Sequence, residues 1–188
     1  MKEEYALAFE DSPVIAAVKS DEGLEKCLTS ECHIVFILYG DICTIPGIIA
    51  RIKAAGKIAV VHIDLIAGMS SQDAAVDYLG EFAKADGIIS TRTSLVKRAK
   101  EKGLISILRM FIIDSMAYEN LRKQVKAAQP DMIEVLPGMM PKVIERICQS
   151  SKIPVIAGGL ISDREDVMTL LRTGVIGVST TAQDLWFI

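Results

Sequence analysis

The sequence predicts a closed (β/α)8 barrel, and three observations predict it. Short apolar runs recur eight times, their starts about 17 to 29 residues apart, with an amphipathic or polar stretch between each pair. Most of those stretches stop at a glycine or proline directly before the next run. Just over half of the 188 residues are hydrophobic, yet only 5% are aromatic. A core of Ile, Val, Leu, Ala and Met suits parallel strands buried on both faces. Alternating βα units imply right-handed crossovers and a parallel sheet. Eight units match the closed barrel, whereas five or six would have favoured an open doubly wound sheet.

The elements follow in order. Val14 to Val18 is the first strand, and Ser20-Asp21-Glu22 opens a polar helix through Leu28. Ile34 to Tyr39 is the second strand, with a helix from about Thr44 to Ala55 that carries Pro46 in its first turn and stops at Gly56. Ile58 to Asp64 is the third strand, followed by a helix from about Gln72 to Ala83. Gly87 to Thr91 is the fourth, then a basic helix from Thr93 to Lys102 that ends at Gly103. Leu104 to Arg109 is the fifth, with a helix from about Ser115 to Ala127. Met132 to Leu136 is the sixth, with a helix to about Gln149. The runs 153–161 and 175–181 hold the seventh and eighth strands, and Asp163 caps the helix between them.

With no linker, low-complexity segment or composition break, residues 1–188 are expected to form a single domain with an abbreviated last helix. Only Ala182 to Ile188 follow the eighth strand. The segment carrying Leu7 and Phe9, or a second copy of the chain in a homo-oligomer, is expected to cover the gap.

Composition bounds the function. A formal charge of −3 and a pI of about 5.5 give no general pull toward nucleic acid. The Lys97–Lys102 stretch reads as a solvated face, with no interleaved aromatics for base stacking. Cys27, Cys32, Cys43 and Cys148 form no C-x-x-C pair and read as free thiols. No apolar run reaches the ~20 residues of a membrane span, and no apolar region follows Met1-Lys2-Glu3-Glu4 as in a signal peptide. A cytoplasmic protein without membrane partner, metal or cofactor is expected.

In a barrel, functional residues gather at the C-terminal ends of the strands. Those ends are polar here: Asp41, His62, Asp64, Ser90, Thr91, Arg92, Arg109, Glu134, Ser179 and Thr180. Strand alternation puts His62 and Asp64 on one face. If that face is inward, they share the mouth with Arg109, Glu134 and one of Thr91 or Arg92. Arg109 is then an ion-pair partner of Asp64 or Glu134, while Asp41, Ser90 and Thr91 read equally as helix caps. Gly158-Gly159 after the seventh strand and Ser179-Thr180 after the eighth lie where phosphate sites recur in barrels, because glycine amides and hydroxyls can approach an anion. A phosphate-binding corner is expected there. The competing reading gives the glycines a tight-packing role only.

The blocks His62-Ile63-Asp64-Leu65, Gly87-Ile88-Ile89-Ser90-Thr91-Arg92, Glu134-Val135-Leu136-Pro137-Gly138 and Pro154 to Ile161 resemble those of the glycerol-3-phosphate-responsive antiterminators, the glycerol uptake operon regulators. They come in that family's order and span nearly the whole chain. The resemblance implies a regulator that senses glycerol-3-phosphate, or a similar small phosphate ester, and acts on leader mRNA so that transcription passes a terminator. Gly158, Gly159, Ser179 and Thr180 are then expected at the phosphate, with Arg92 or Arg109 adding charge. Asp64, Glu134, Thr91 and His62 are expected nearer the glycerol. The alternative is an isomerase, lyase or phosphodiesterase using His62 with Asp64 or Glu134. Against a Schiff-base mechanism, no lysine is expected at a strand's C-terminal end.

Overall fold

A computed structural model describes residues 3–188; Met1 and Lys2, with which the signal-peptide reading begins, lie outside the described residues. Helix α1 (Glu3–Asp11) leads into β1 (Val14–Val18), α2 (Asp21–Leu28), β2 (Ile34–Ile37), α3 (Ile45–Ala54) and β3 (Ile58–His62). Then come α4 (Asp73–Glu81), β4 (Gly87–Ser90), α5 (Thr93–Glu101), β5 (Ile105–Phe111) and α6 (Ser115–Ala128). The chain closes with β6 (Met132–Leu136), α7 (Pro141–Ser150), β7 (Val155–Gly158), α8 (Arg164–Leu171) and β8 (Gly177–Thr180). All eight strands pair in sequence order, and β8 returns to β1 through Ala16 opposite Thr180. The expected barrel is therefore the observed one.

Local chemistry explains the boundaries. Ser20, Asp114 and Asp163 each accept a hydrogen bond from the amide three residues on, capping α2, α6 and α8. Burial on both faces explains the unbroken apolar runs of the strands: β1, β2 and β4 are buried at every position. Alternate residues divide two cores. Val35, Val61, Ile88, Leu108 and Val135 face the helices. Ile15, Phe36, Val60, Ile89, Ile107 and Ile156 fill the barrel.

The N-terminal segment does not cover the gap left by the short last helix. Phe9 on α1 instead joins the interior cluster with Ile34, Ile105 and Met132, the first inward residues of their strands, and closes the lower end. Leu7 is exposed. The gap is filled from the C-terminus by a 3₁₀ turn, Gln183–Phe187, which buries Leu185 and Trp186 in the outer core. Trp186 Nε1 donates to the Thr180 carbonyl at 3.0 Å, and its own carbonyl accepts from Glu31 N at 3.2 Å. One wide aromatic there takes the place of a helix face.

The third strand is shorter than expected. It stops at His62, and residues Ile63–Leu65 form a 3₁₀ turn. The alternation that would have put His62 and Asp64 on one strand face therefore ends before Asp64. The fifth is longer, because Met110 and Phe111 continue the ladder opposite Val135 and Leu136.

Candidate functional site

The mouth is organised across four neighbouring strands. Arg109 on β5 lies in register with Glu134 on β6, and Gly158 on β7 with Ser179 on β8. Arg109 Nε donates to Glu134 Oε2 at 2.7 Å, and Ser179 Oγ donates to Glu134 Oε1 at 2.6 Å. The second bond reaches over β7, which is possible only because Gly158 has no side chain. A Cβ there would stand 2.4 Å from Ser179 Oγ and 2.8 Å from Glu134 Oε1. Gly158 thus admits the Glu134–Ser179 contact, a different role from the expected amide donor to phosphate.

Glu134 is fully buried and the Arg109 side chain only 10% exposed. A buried carboxylate needs both partners to offset its desolvation. Glu134, and not Asp64, is the ion-pair partner of Arg109. Neither terminal amino group of Arg109 has a protein partner among the described residues, so the outer edge of the guanidinium keeps donors for a ligand.

His62 ends β3 with 3% exposure, and its Nδ1 has no hydrogen-bond partner among the described residues. Burial, helped by the nearby Arg109 charge, pushes its pKa down to about 4, against the opposing pull of Glu134 and Asp64. The imidazole is neutral at physiological pH and holds one unmet polar valence.

Asp64 is committed elsewhere. Its carboxylate accepts from Ser90 Oγ at 2.9 Å, Thr91 N at 2.8 Å and Thr91 Oγ1 at 3.1 Å, fixing the turn between β4 and α5. Asp41 does the same for its own loop, accepting from the amides of Cys43 and Thr44 and from the Thr44 hydroxyl. Those bonds hold its carboxyl below the usual range. The Thr180 hydroxyl donates to the Ile161 carbonyl and accepts from Ala182 N, so it too is engaged. Arg92 stands exposed at the start of α5, with no side-chain bond among the described residues.

Two clefts open on either side of Arg109. One of about 520 Å³ is walled by Arg109, Glu134, Leu136, the corner Gly159 to Ser162, and Ser179 to Ala182. In that corner Gly159 has φ +80° and Leu160 φ +62°. Leu160 is exposed there, and a left-handed leucine costs on the order of 1–3 kcal/mol. The other cleft, about 380 Å³, runs from Arg109 past Thr91, Phe111 and Asp114 to Asn120 and Gln124. His62, Arg109, Glu134, Gly158 and Ser179 are therefore brought together. Gly159 and Thr180 line the first cleft and Thr91 the second, while Arg92 lines neither.

Sequence reasoning missed Leu160, Ser162, Asn120 and Gln124, whose polarity and spacing are those of ordinary loop and helix residues. It also passed over Lys19. This residue directly follows β1, exposed and beside the β8 corner, so a lysine does stand at a strand's C-terminal end. Its position after Val18 was a usable signal.

The molecule is an eight-stranded parallel barrel whose mouth holds an arginine with donors unused among the described residues, beside a glycine corner after β7, the end of the fold where barrel sites collect. The chain belongs to the glycerol-3-phosphate responsive antiterminator family, whose pattern it matches over residues 14–186. It is 45% identical over 175 residues to YgcP, an uncharacterised protein of Escherichia coli K12, covering 93% of this chain and 92% of that one. The glycerol uptake operon antiterminator regulatory protein of Listeria monocytogenes superposes with a TM-score of 0.91 at 35% identity, over 95% of this chain and 96% of that one. A related antiterminator-like protein of Thermotoga maritima gives 0.83 at 31% identity, over 93% and 98%. Deoxyribose phosphate aldolase of Aeropyrum pernix gives 0.72 at 14% identity, over 99% and 97%, which speaks for the barrel alone.

Proposed function

We propose that this protein is a cytoplasmic sensor of glycerol-3-phosphate, or a closely similar small phosphate ester, that acts on leader mRNA to let transcription continue. The observation that carries the reading is the guanidinium of Arg109. It is anchored by Glu134 through Nε, and Arg109 lines the 520 Å³ cleft beside the β7 and β8 corners. A phosphate there meets a charged fork and the amides of the Gly159–Ile161 corner. Lys19 and the hydroxyl of Thr181 lie at the same end. The glycerol portion is directed toward the layer that holds the buried His62.

The reading is of binding without turnover. A histidine base needs an orienting partner and a pKa near the working pH. Among the described residues His62 Nδ1 has no partner, and burial holds its pKa near 4. Glu134 is held by two hydrogen bonds, and Asp64 is spent on Ser90 and Thr91. Among the described residues, no group of three or more His, Cys, Asp or Glu is placed to hold a metal ion, and no helix is long and apolar enough to cross a membrane.

Thermal unfolding tests the sensor. sn-Glycerol-3-phosphate at about 100 times its dissociation constant should stabilise the fold by about 2.7 kcal/mol and raise Tm by several degrees, while glycerol should not. No shift with either compound, or an equal shift with both, would remove the reading.

A further inference from the structure

The chain's mild negative charge is unevenly spread. On α3 and α5 most cations are held by neighbouring acids: Arg51 pairs with Glu25, Lys53 with Asp86, Arg98 with Asp77 and Lys100 with Asp131, and Lys102, just past α5, pairs with Glu81, which leaves Lys97 exposed without an ion pair among the described residues. The basic helix α5 is thus a solvated ion-pair face, as its sequence reads. Helices α6 and α7 differ. Arg122, Lys123, Lys126, Lys142 and Arg146 are all exposed, and none has an ion pair among the described residues. Two exposed acids, Glu119 and Glu145, share these helices. A groove of about 580 Å³ opens between α6 and α7, with Tyr118, Glu119, Val143 and Arg146 among its walls.

We propose that the α6–α7 face is the surface on which this protein holds single-stranded RNA. Backbone phosphates lie along the five cations, and an unstacked base enters the groove against Tyr118 and Arg146. The charge of the face complements a polyanion. An aromatic ring and a guanidinium plane together in a groove suit a base, which a phosphate-coated membrane does not offer. The proposal rests on the sensor reading for its regulation. Ile113 and Asp114 line both this groove and the 380 Å³ cleft beside Arg109, and β5 runs from Arg109 through Phe111 directly into that segment. A ligand at Arg109 and RNA on α6–α7 therefore share the β5–α6 connection, and each biases it for the other.

The test measures fluorescence anisotropy of a labelled mixed-sequence single-stranded RNA at about 50 to 200 mM KCl. The triple variant Arg122→Gln, Lys123→Gln, Lys126→Gln is compared with Lys84→Gln, Lys97→Gln, Lys152→Gln, which removes equal charge elsewhere. The α6 variant should bind at least about ten-fold more weakly, with a log–log salt slope shallower by about two, at ~0.7 per lost phosphate contact. The control should match the wild type, and both variants should keep the thermal shift with sn-glycerol-3-phosphate. Wild-type affinity and slope in the α6 variant would overturn the surface and leave the sensor reading standing. Loss of RNA binding in the α6 variant alone, with no phosphate-ester shift in any form, would support the surface and sink the sensor reading. A wild-type protein that binds anionic phosphatidylglycerol vesicles but no RNA would overturn the proposal.

Discussion

Both ends of the barrel bury carboxylates, and they treat them in opposite ways. At the lower end Asp131 accepts from Ser106 N at 3.1 Å, Ser106 Oγ at 2.8 Å and Lys100 Nζ at 2.6 Å. Burial pushes its carboxyl up, yet these bonds outweigh that and hold it below the ordinary value. Asp86 is tied in the same way, to Ala59 N and Lys53. Phe9 then closes the interior. At the upper end Glu134 is also buried, but among the described residues its partner Arg109 keeps unused donors and His62 carries a nitrogen with no partner. A fold selected for stability alone would satisfy both ends. On the sensor reading proposed above, the unmet valences at one end are where the ligand completes the network.

Three perturbations sharpen this contrast. The largest effect is expected from Arg109→Leu. It strands the buried Glu134 charge, should cost about 3–5 kcal/mol, and should abolish phosphate-ester binding. The double variant Arg109→Leu, Glu134→Leu should recover most of the stability and none of the binding. At the other end, Asp131→Asn should cost only about 1–2 kcal/mol and leave the ester affinity unchanged. Denaturant melts paired with ester titrations read both quantities. Equal losses of ester affinity from the two ends would break the comparison.

The next effect is pH-dependent. Burial depresses the folded pKa of His62 from its ordinary 6.5 to about 4. Between those values the unfolded chain binds the extra proton. The stability that neutral His62 contributes is therefore complete above about pH 6.5 and lost as pH falls toward 4. The loss is on the order of 3 kcal/mol. Relative to the wild type, His62→Leu should flatten the stability profile over that window. Parallel profiles would mean that the imidazole is not held neutral by burial.

A further effect at the upper end is expected from Gly158→Ala. Its φ is not left-handed, so only the clash with Ser179 and Glu134 opposes the methyl, at about 1–3 kcal/mol. Adding Ser179→Ala should relieve much of that cost. A neutral single variant would mean that the Glu134–Ser179 contact does not depend on a bare Gly158.

Most of the barrel was legible because each strand is a bounded apolar run and most helices have a glycine or cap at a boundary. The closure at each end was not. Phe9 and Trp186 sit in short mixed segments before β1 and after β8, and nothing local says that one closes the barrel interior and the other replaces a helix face. Within the site, Arg109, Glu134 and His62 were legible as polar residues in or at the end of apolar strands. Asp64 misled because strand alternation was extended two residues past the strand's end, where the Ser90 and Thr91 donors draw the carboxylate away. The role of Gly158 was hidden because its reason lies on two other strands. Lys19 was legible and overlooked.

The central claim is that the free edge of Arg109 and the Gly159–Ile161 corner together take a phosphate group. A crystal structure of the protein with sn-glycerol-3-phosphate tests it most directly. The phosphate should sit in the 520 Å³ cleft, bonded to the Arg109 guanidinium and the corner amides, with the glycerol directed toward His62. An ester bound elsewhere on the chain, or held in that cleft with Arg109 turned away from it, would contradict the account.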